Sequence, residues 1–157
     1  MPEFEITPPT PARRPVVLFC DDAPTMRLLL RNILREGGYD GLEADSGPAA
    51  LQVLASMQPV DLLLTDLHMP GLDGLGVVRQ ARALAHRRYL SIVMLTTEST
   101  PQRVREGAEA GLTAWMVKPF TGPSLLGVLA KALGRRAGAM SQRNVDRGSI
   151  RASVASS

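Results

Sequence analysis

Along residues 16–134, apolar runs of strand length alternate with stretches in which apolar residues recur at helical spacing. The runs fall near 16–20, 41–44, 61–65, 91–96 and 114–117. The first helical pattern is the sharpest: Met26, Leu29, Leu30, Ile33 and Leu34 follow i, i+3, i+4, i+7, i+8. Pro24 suits its first turn and Gly37-Gly38 ends it. A second helix is predicted after Ser46, with Pro48 near its start and Ala50, Leu51, Leu54 and Met57 facing inward. A third follows Asp73, with Leu75, Val78, Ala81 and Leu84. A fourth opens on Thr100-Pro101, a capping residue before a proline, runs to about Ala110 and has a thin apolar face. A fifth uses Leu125, Val128, Leu129, Ala132 and Leu133.

Five successive βα units predict an α/β protein with a doubly wound five-stranded parallel sheet, helices lying on both faces. The right-handed crossover rule leaves few topologies. Leu62-Leu63-Leu64 shows no alternation, which suits a central strand buried on both sides. Sheets of this kind place their sites at the carboxyl ends of strands. Asp21 and Asp22 follow the first run, Asp66 follows the third, Thr96 ends the fourth, and Lys118 follows the fifth. All five polar groups are therefore expected at one sheet edge. Carboxylates gathered there repel one another unless a cation joins them, which points to a Mg²⁺ site with a carboxylate available for phosphoryl chemistry.

Composition narrows this little. The 157 residues suffice for one domain plus ends, and 45% hydrophobic content is ample for a core. No apolar run is long enough to span a bilayer, and Met1-Pro2-Glu3-Phe4-Glu5-Ile6 lacks a secretory pattern. Cys20 is the single cysteine, so no internal disulfide forms, and at the end of a buried strand it reads as a small core residue. A cytoplasmic protein is the simplest expectation. The sequence pI of about 9.6 misleads. Residues 135–157 carry Arg135, Arg136, Arg143, Arg147 and Arg151 against Asp146, whereas segment 16–134 holds 11 basic and 12 acidic residues. Basicity belongs to the tail, so nucleic acid is not expected as a partner of the core. The tail also lacks interleaved aromatics. Residues 1–15, with five prolines, are expected to form an extended or disordered arm, residues 16–134 a single folded domain, and residues 135–157 a basic mobile tail.

Four motifs, each at a strand end, carry a family resemblance. They are Cys20-Asp21-Asp22; Thr65-Asp66-Leu67-His68-Met69-Pro70-Gly71-Leu72-Asp73-Gly74; Leu95-Thr96-Thr97-Glu98; and Val117-Lys118-Pro119-Phe120. Residues 15–134 resemble the receiver domain of bacterial response regulators, most of all the CheY-like single-domain chemotaxis type, with which the run Asp22-Ala23-Pro24-Thr25-Met26-Arg27 also agrees. The resemblance implies a flavodoxin-like (βα)5 fold with strand order 2-1-3-4-5. It implies that Asp66 is the phosphoacceptor, that Asp22 and Asp66 bind Mg²⁺ directly, that Asp21 acts through water, and that His68 offers its backbone carbonyl. Lys118 and Thr96 would contact the phosphoryl oxygens, and the Lys118–Pro119 bond would be cis. Gly71 and Gly74 would serve a turn beside Asp66.

Other positions refine the expectation. Trp115 stands where the family carries a mobile aromatic, so a switch through Thr96 and Trp115 is expected. His68, Thr97 and Glu98 are expected at the rim, tuning phosphate lifetime and access. The function implied is a stand-alone phosphorylation switch in two-component signalling. It takes phosphoryl groups from a histidine kinase and binds a partner such as a flagellar motor switch protein, as a monomer with no second domain after residue 134. A phosphate shuttle or sink is the alternative. Rival classes fare worse. An Asp-nucleophile phosphatase of the haloacid dehalogenase type wants an acid two residues after its nucleophile, which Asp66-Leu67-His68 lacks. A flavin mononucleotide binder wants a Ser/Thr/Gly-rich loop where acids stand.

Overall fold

The computed structural model describes residues 13–134; the expectations for 1–12 and for the tail 135–157 lie outside the described residues. Five strands, β1 (Val16–Cys20), β2 (Asp40–Ala44), β3 (Leu62–Thr65), β4 (Ser91–Thr96) and β5 (Ala114–Val117), form one sheet in the order β2-β1-β3-β4-β5. Every neighbouring pair is parallel. Five helices alternate with them: α1 (Pro24–Glu36), α2 (Gly47–Ala55), α3 (Gly74–Ala83), α4 (Pro101–Ala110) and α5 (Gly122–Gly134). A single 3-10 turn, Ala85–Arg87, joins α3 to β4.

The pleat divides the core in two. Leu18, Cys20, Leu63, Ile92, Met94 and Trp115 point toward α2, α3 and α4. Val17, Phe19, Leu62, Leu64, Val93, Leu95 and Met116 point toward α1 and α5. Alternate residues of one strand thus serve opposite layers, which is why β3 and β4 read as continuous apolar runs. Local signals hold the helices in place. Ser46, Asp73 and Thr100 accept from the backbone N–H three residues on and cap α2, α3 and α4. Thr121 and Ser124 cap α5 reciprocally, each hydroxyl accepting the other's backbone N–H at 3.1 and 3.0 Å.

Two apolar positions depart from the sequence pattern. Leu29 is exposed, as is Leu28, because α1 turns only Leu30 and Leu34 fully inward, with Met26 and Ile33 beside them. Met57, expected inward on the second helix, is 79% exposed because α2 stops at Ala55. At the sheet's amino-terminal edge, Arg13 donates to both oxygens of Asp61 at 2.9 and 3.1 Å. Arg14 donates to the carbonyls of Arg35 and Tyr39.

Candidate functional site

The register of the sheet brings the polar groups together. Cys20 pairs with Thr65 across β1 and β3, so the next residue on each strand, Asp21 and Asp66, emerge side by side. The Asp66 N–H donates to the Cys20 carbonyl at 3.0 Å. Thr96 pairs with Val117, and the Lys118 N–H donates to the Thr96 carbonyl at 2.8 Å. Four strand ends therefore deliver Asp21, Asp22, Asp66, Thr96 and Lys118 to one edge.

The carboxylates converge closely. Asp21, Asp22 and Asp66 each present an oxygen within 4.8 Å of the other two. The Lys118 ammonium lies 3.1 Å from Asp21 Oδ2 and 3.1 Å from Asp66 Oδ2, bridging them. Asp21 is only 2% exposed, and its Oδ1 accepts the Ala23 N–H at 2.8 Å. Asp22 is exposed and its carboxylate has no hydrogen-bond or ion-pair partner among the described residues; Asp66 is intermediate. Neither Asp21 nor Asp22 caps α1, whose N-cap is Ala23 without a side-chain bond, so helix capping does not account for the acidic pair. Three carboxylates face one ammonium. Hard oxygen donors on a partly open, anionic cup suit a divalent cation such as Mg²⁺ or Ca²⁺, and the donor set fits such an ion.

Glycine shapes the wall behind Asp66. A Cβ on Gly74, the first residue of α3, would lie 2.2 Å from the Asp66 carbonyl oxygen and 2.9 Å from Leu67 Cα. Only glycine lets α3 start this close to the strand end. Gly71 adopts φ +77°, the left-handed turn conformation. The Lys118–Pro119 bond is cis. Beneath the acids, burial pushes the Cys20 thiol up to about 12 from its ordinary 9.0, opposed by a hydrogen bond with Thr65, and the thiol stays protonated and inert.

The rim is organised around Glu98. Its carboxylate takes His68 Nε2 at 2.7 Å on one oxygen and Arg103 Nε at 3.2 Å on the other. His68 also donates its backbone N–H to Asp66 Oδ1 at 3.3 Å, and Thr97 is exposed. Thr96 is fully buried, and its Oγ1 accepts the Glu98 N–H at 3.3 Å. The Glu98 carbonyl accepts the Trp115 indole N–H at 2.9 Å. Glu98's peptide groups thus connect the hydroxyl at the site to the aromatic ring. The Trp115 ring lies inward, 1% exposed. It fits because α4 carries Gly107, where a Cβ would stand 3.0 Å from Trp115 Cε3. Sequence reading did not single out Gly107 or Glu43, and it named Arg27 only within a run, without a role; Arg27 and Glu43 stand behind Asp21. A glycine mid-helix with no turn to make was the available signal for the first.

A doubly wound sheet with an acidic trio and a lysine at its carboxyl edge defines the class to which the family comparison also leads. Residues 17–130 match the response regulator receiver domain, and the chain belongs to that family. Within it the chain is a CheY-like receiver domain. It is 38% identical over 120 residues to the chemotaxis protein CheY of Pseudomonas aeruginosa, covering 76% of this chain and 96% of that one. It is 36% identical over 119 residues to the chemotaxis protein CheY1 of Helicobacter pylori, covering 75% and 96%. The solved structure of the chemotaxis response regulator CheY4 of Vibrio cholerae superposes with a TM-score of 0.72 at 32% identity, covering 76% and 98%. No helix among the described residues is long and apolar enough to cross a membrane.

Proposed function

We propose that this chain is a phosphorylation switch whose phosphoacceptor is Asp66. The observation that carries the reading is the Lys118 ammonium held 3.1 Å from both Asp21 and Asp66 at the rim of a three-carboxylate cup. Asp66 attacks phosphorus in line, and a P–O bond to Asp66 forms as the P–N bond of a kinase's phosphohistidine breaks. The imidazole leaves with the electron pair of that bond and takes up a proton. Lys118 turns from its carboxylate partners to a phosphoryl oxygen as a point charge, and Thr96 donates its hydroxyl to another. Asp21, Asp22, Asp66 and the His68 carbonyl are the residues that would hold Mg²⁺. Bound there, the ion would supply positive charge to offset that of the carboxylates and the phosphoryl group. His68, Thr97 and Glu98 line the path by which water reaches the acyl phosphate and so tune its lifetime.

The product stays on the protein until it is hydrolysed, which makes the chain a phosphoacceptor rather than a turnover enzyme. The state of Asp66 biases a two-state domain through Thr96, Glu98 and Trp115, and a partner protein reads the outcome. The relatives are named chemotaxis proteins, and the partner in this reading is a flagellar motor switch protein. The test is incubation with a small phosphodonor and Mg²⁺. Native protein acquires one acid-stable, alkali-labile phosphoryl group, and Asp66→Ala acquires none. Label that persists in Asp66→Ala defeats the assignment.

A further inference from the structure

The site described so far explains where the acids are, but not what keeps the exposed one in place. The Asp21 carbonyl belongs to the peptide unit that leads into Asp22. That carbonyl accepts from Arg27 Nη1 at 2.8 Å. The same guanidinium donates through Nε to Glu43 Oε2 on β2 at 2.9 Å and is itself mostly buried, 16% exposed. Glu43 is held in turn by Arg31, whose Nε lies 3.0 Å from Oε1. Hydrogen bonds from Arg31 and then Arg27 keep the Glu43 carboxyl below the ordinary carboxylate range, so both partners are charged at neutral pH. The Asp21 N–H is fixed independently, to the Ala44 carbonyl at 3.2 Å. The loop that carries the acids is thus held from behind through β2.

We infer that Arg27 is a positioning residue for the cation site: held by Glu43, it fixes the Asp21–Asp22 peptide and so the direction from which Asp22 reaches the cup. This rests on the reading that the three acids hold a divalent cation. Two physical effects of Arg27 oppose each other, which makes the inference decidable. As a nearby positive charge it repels a second cation, so its removal would tighten binding. As a clamp on the peptide it preorganises the acids, so its removal weakens binding, by about tenfold when supporting residues of a metal site are lost.

The experiment titrates MgCl2 alone into full-length protein and follows the backbone amide resonances of Asp21, Asp22 and Ala23. In native protein these shift saturably. Arg27→Met, which keeps the apolar stem and loses the donors, weakens the apparent affinity about tenfold. Glu43→Gln weakens it less, because a carbonyl acceptor for Arg27 remains. The double variant is no weaker than Arg27→Met alone, since both changes break one linkage. Arg31→Ala, which leaves the Arg27–Glu43 pair intact, stays within about twofold of native. Unchanged or tighter binding by Arg27→Met, or additive losses in the double variant, overturns the inference. Failure of native protein to show saturable shifts instead overturns the cation reading on which it rests.

Discussion

The two edges of the sheet bury charge in opposite ways. At the amino-terminal edge, Arg87 is buried against acceptors: its guanidinium donates to the carbonyls of Leu54, Ser56 and Gln58 at 2.9, 2.9 and 2.6 Å. Arg82 nearby donates to the carbonyls of Gly111, Arg87 and Arg88. At the carboxyl edge, three acids converge and one ammonium pairs with two of them, Asp21 and Asp66. A cation set among carbonyl acceptors of another segment ties that segment to its own loop. An acidic cup with a surplus of negative charge stays incomplete until a cation enters. Burial alone does not distinguish a structural charge from a functional one; the balance of donors and acceptors does.

The largest expected effect of a substitution tests the amino-terminal edge. Arg87→Met leaves three carbonyls without their charged donor, and stability falls by about 3 kcal/mol. His86 Nε2, 2.8 Å from the Leu54 oxygen, softens part of this loss. Urea unfolding measures the change, and phosphorylation of Asp66 per folded molecule stays at the native level. A comparable fall in phosphoryl uptake would merge the two edges into one functional unit.

Beneath the acidic edge, the buried Cys20 thiol supplies a pH test. Its folded pKa, about 12, lies above its ordinary 9.0, so the folded state holds a proton that the unfolded chain releases. The contribution is fully present below pH 9 and is lost as pH rises toward 12, at up to about 1.4 kcal/mol per pH unit. The difference in stability between native protein and Cys20→Ala therefore shrinks over that window, as measured by unfolding at successive pH values. A constant difference would refute it.

Next in size is Gly107→Ala. The added methyl meets Leu112 Cδ1 at 2.6 Å and the Trp115 ring at 3.0 Å. Overpacking of this kind costs about 1–3 kcal/mol, against about 1 kcal/mol gained in helix propensity. A net loss of about 1 kcal/mol is expected from thermal unfolding, with red-shifted Trp115 emission as the ring is pushed outward. Native emission should also change on adding Mg²⁺ with a phosphate mimic, and Thr96→Val, which cannot accept from Glu98, should suppress that change.

At the acidic edge the sign reverses. Asp66→Asn removes one of three mutually repelling carboxylates while Lys118 keeps Asp21. Stability in a chelator rises by about 1 kcal/mol, the usual trade at a site built for function. Millimolar Mg²⁺ narrows the gap, because native protein gains more from the ion.

How much of this was legible beforehand follows from what each residue type can signal. The strands and the acid edge were readable because apolar runs ended on polar residues: Asp21, Asp66 and Lys118 stand one residue past a strand, and Thr96 closes β4. The strand order came from resemblance and agrees with the observed sheet. Leu29 and Met57 misled because a helical stripe shows which residues share a face, not how wide the buried sector is or where the helix stops. The roles of Arg87 and Arg27 were invisible for a different reason. A lone arginine in sequence is indistinguishable from a solvated one: the acceptors of Arg87 are backbone carbonyls of a distant segment, and those of Arg27 are the Asp21 carbonyl and a carboxylate on β2, and neither set carries a sequence signal.

The smallest expected effect closes the comparison on the amino-terminal edge. Arg13 makes a bidentate pair with Asp61, but its side chain is 61% exposed, so water and salt compete for it. Asp61 has a second duty: its Oδ2 accepts the Val16 N–H at 2.7 Å and fixes the start of β1. Arg13→Ala removes only the first contact and costs about 0.5 kcal/mol at low salt, vanishing near 1 M NaCl. Asp61→Ala removes both and costs about 1.5 kcal/mol, with a component that salt does not erase. Equal losses in the two variants would mean that the exposed ion pair, rather than the backbone bond beneath it, holds this end of the strand.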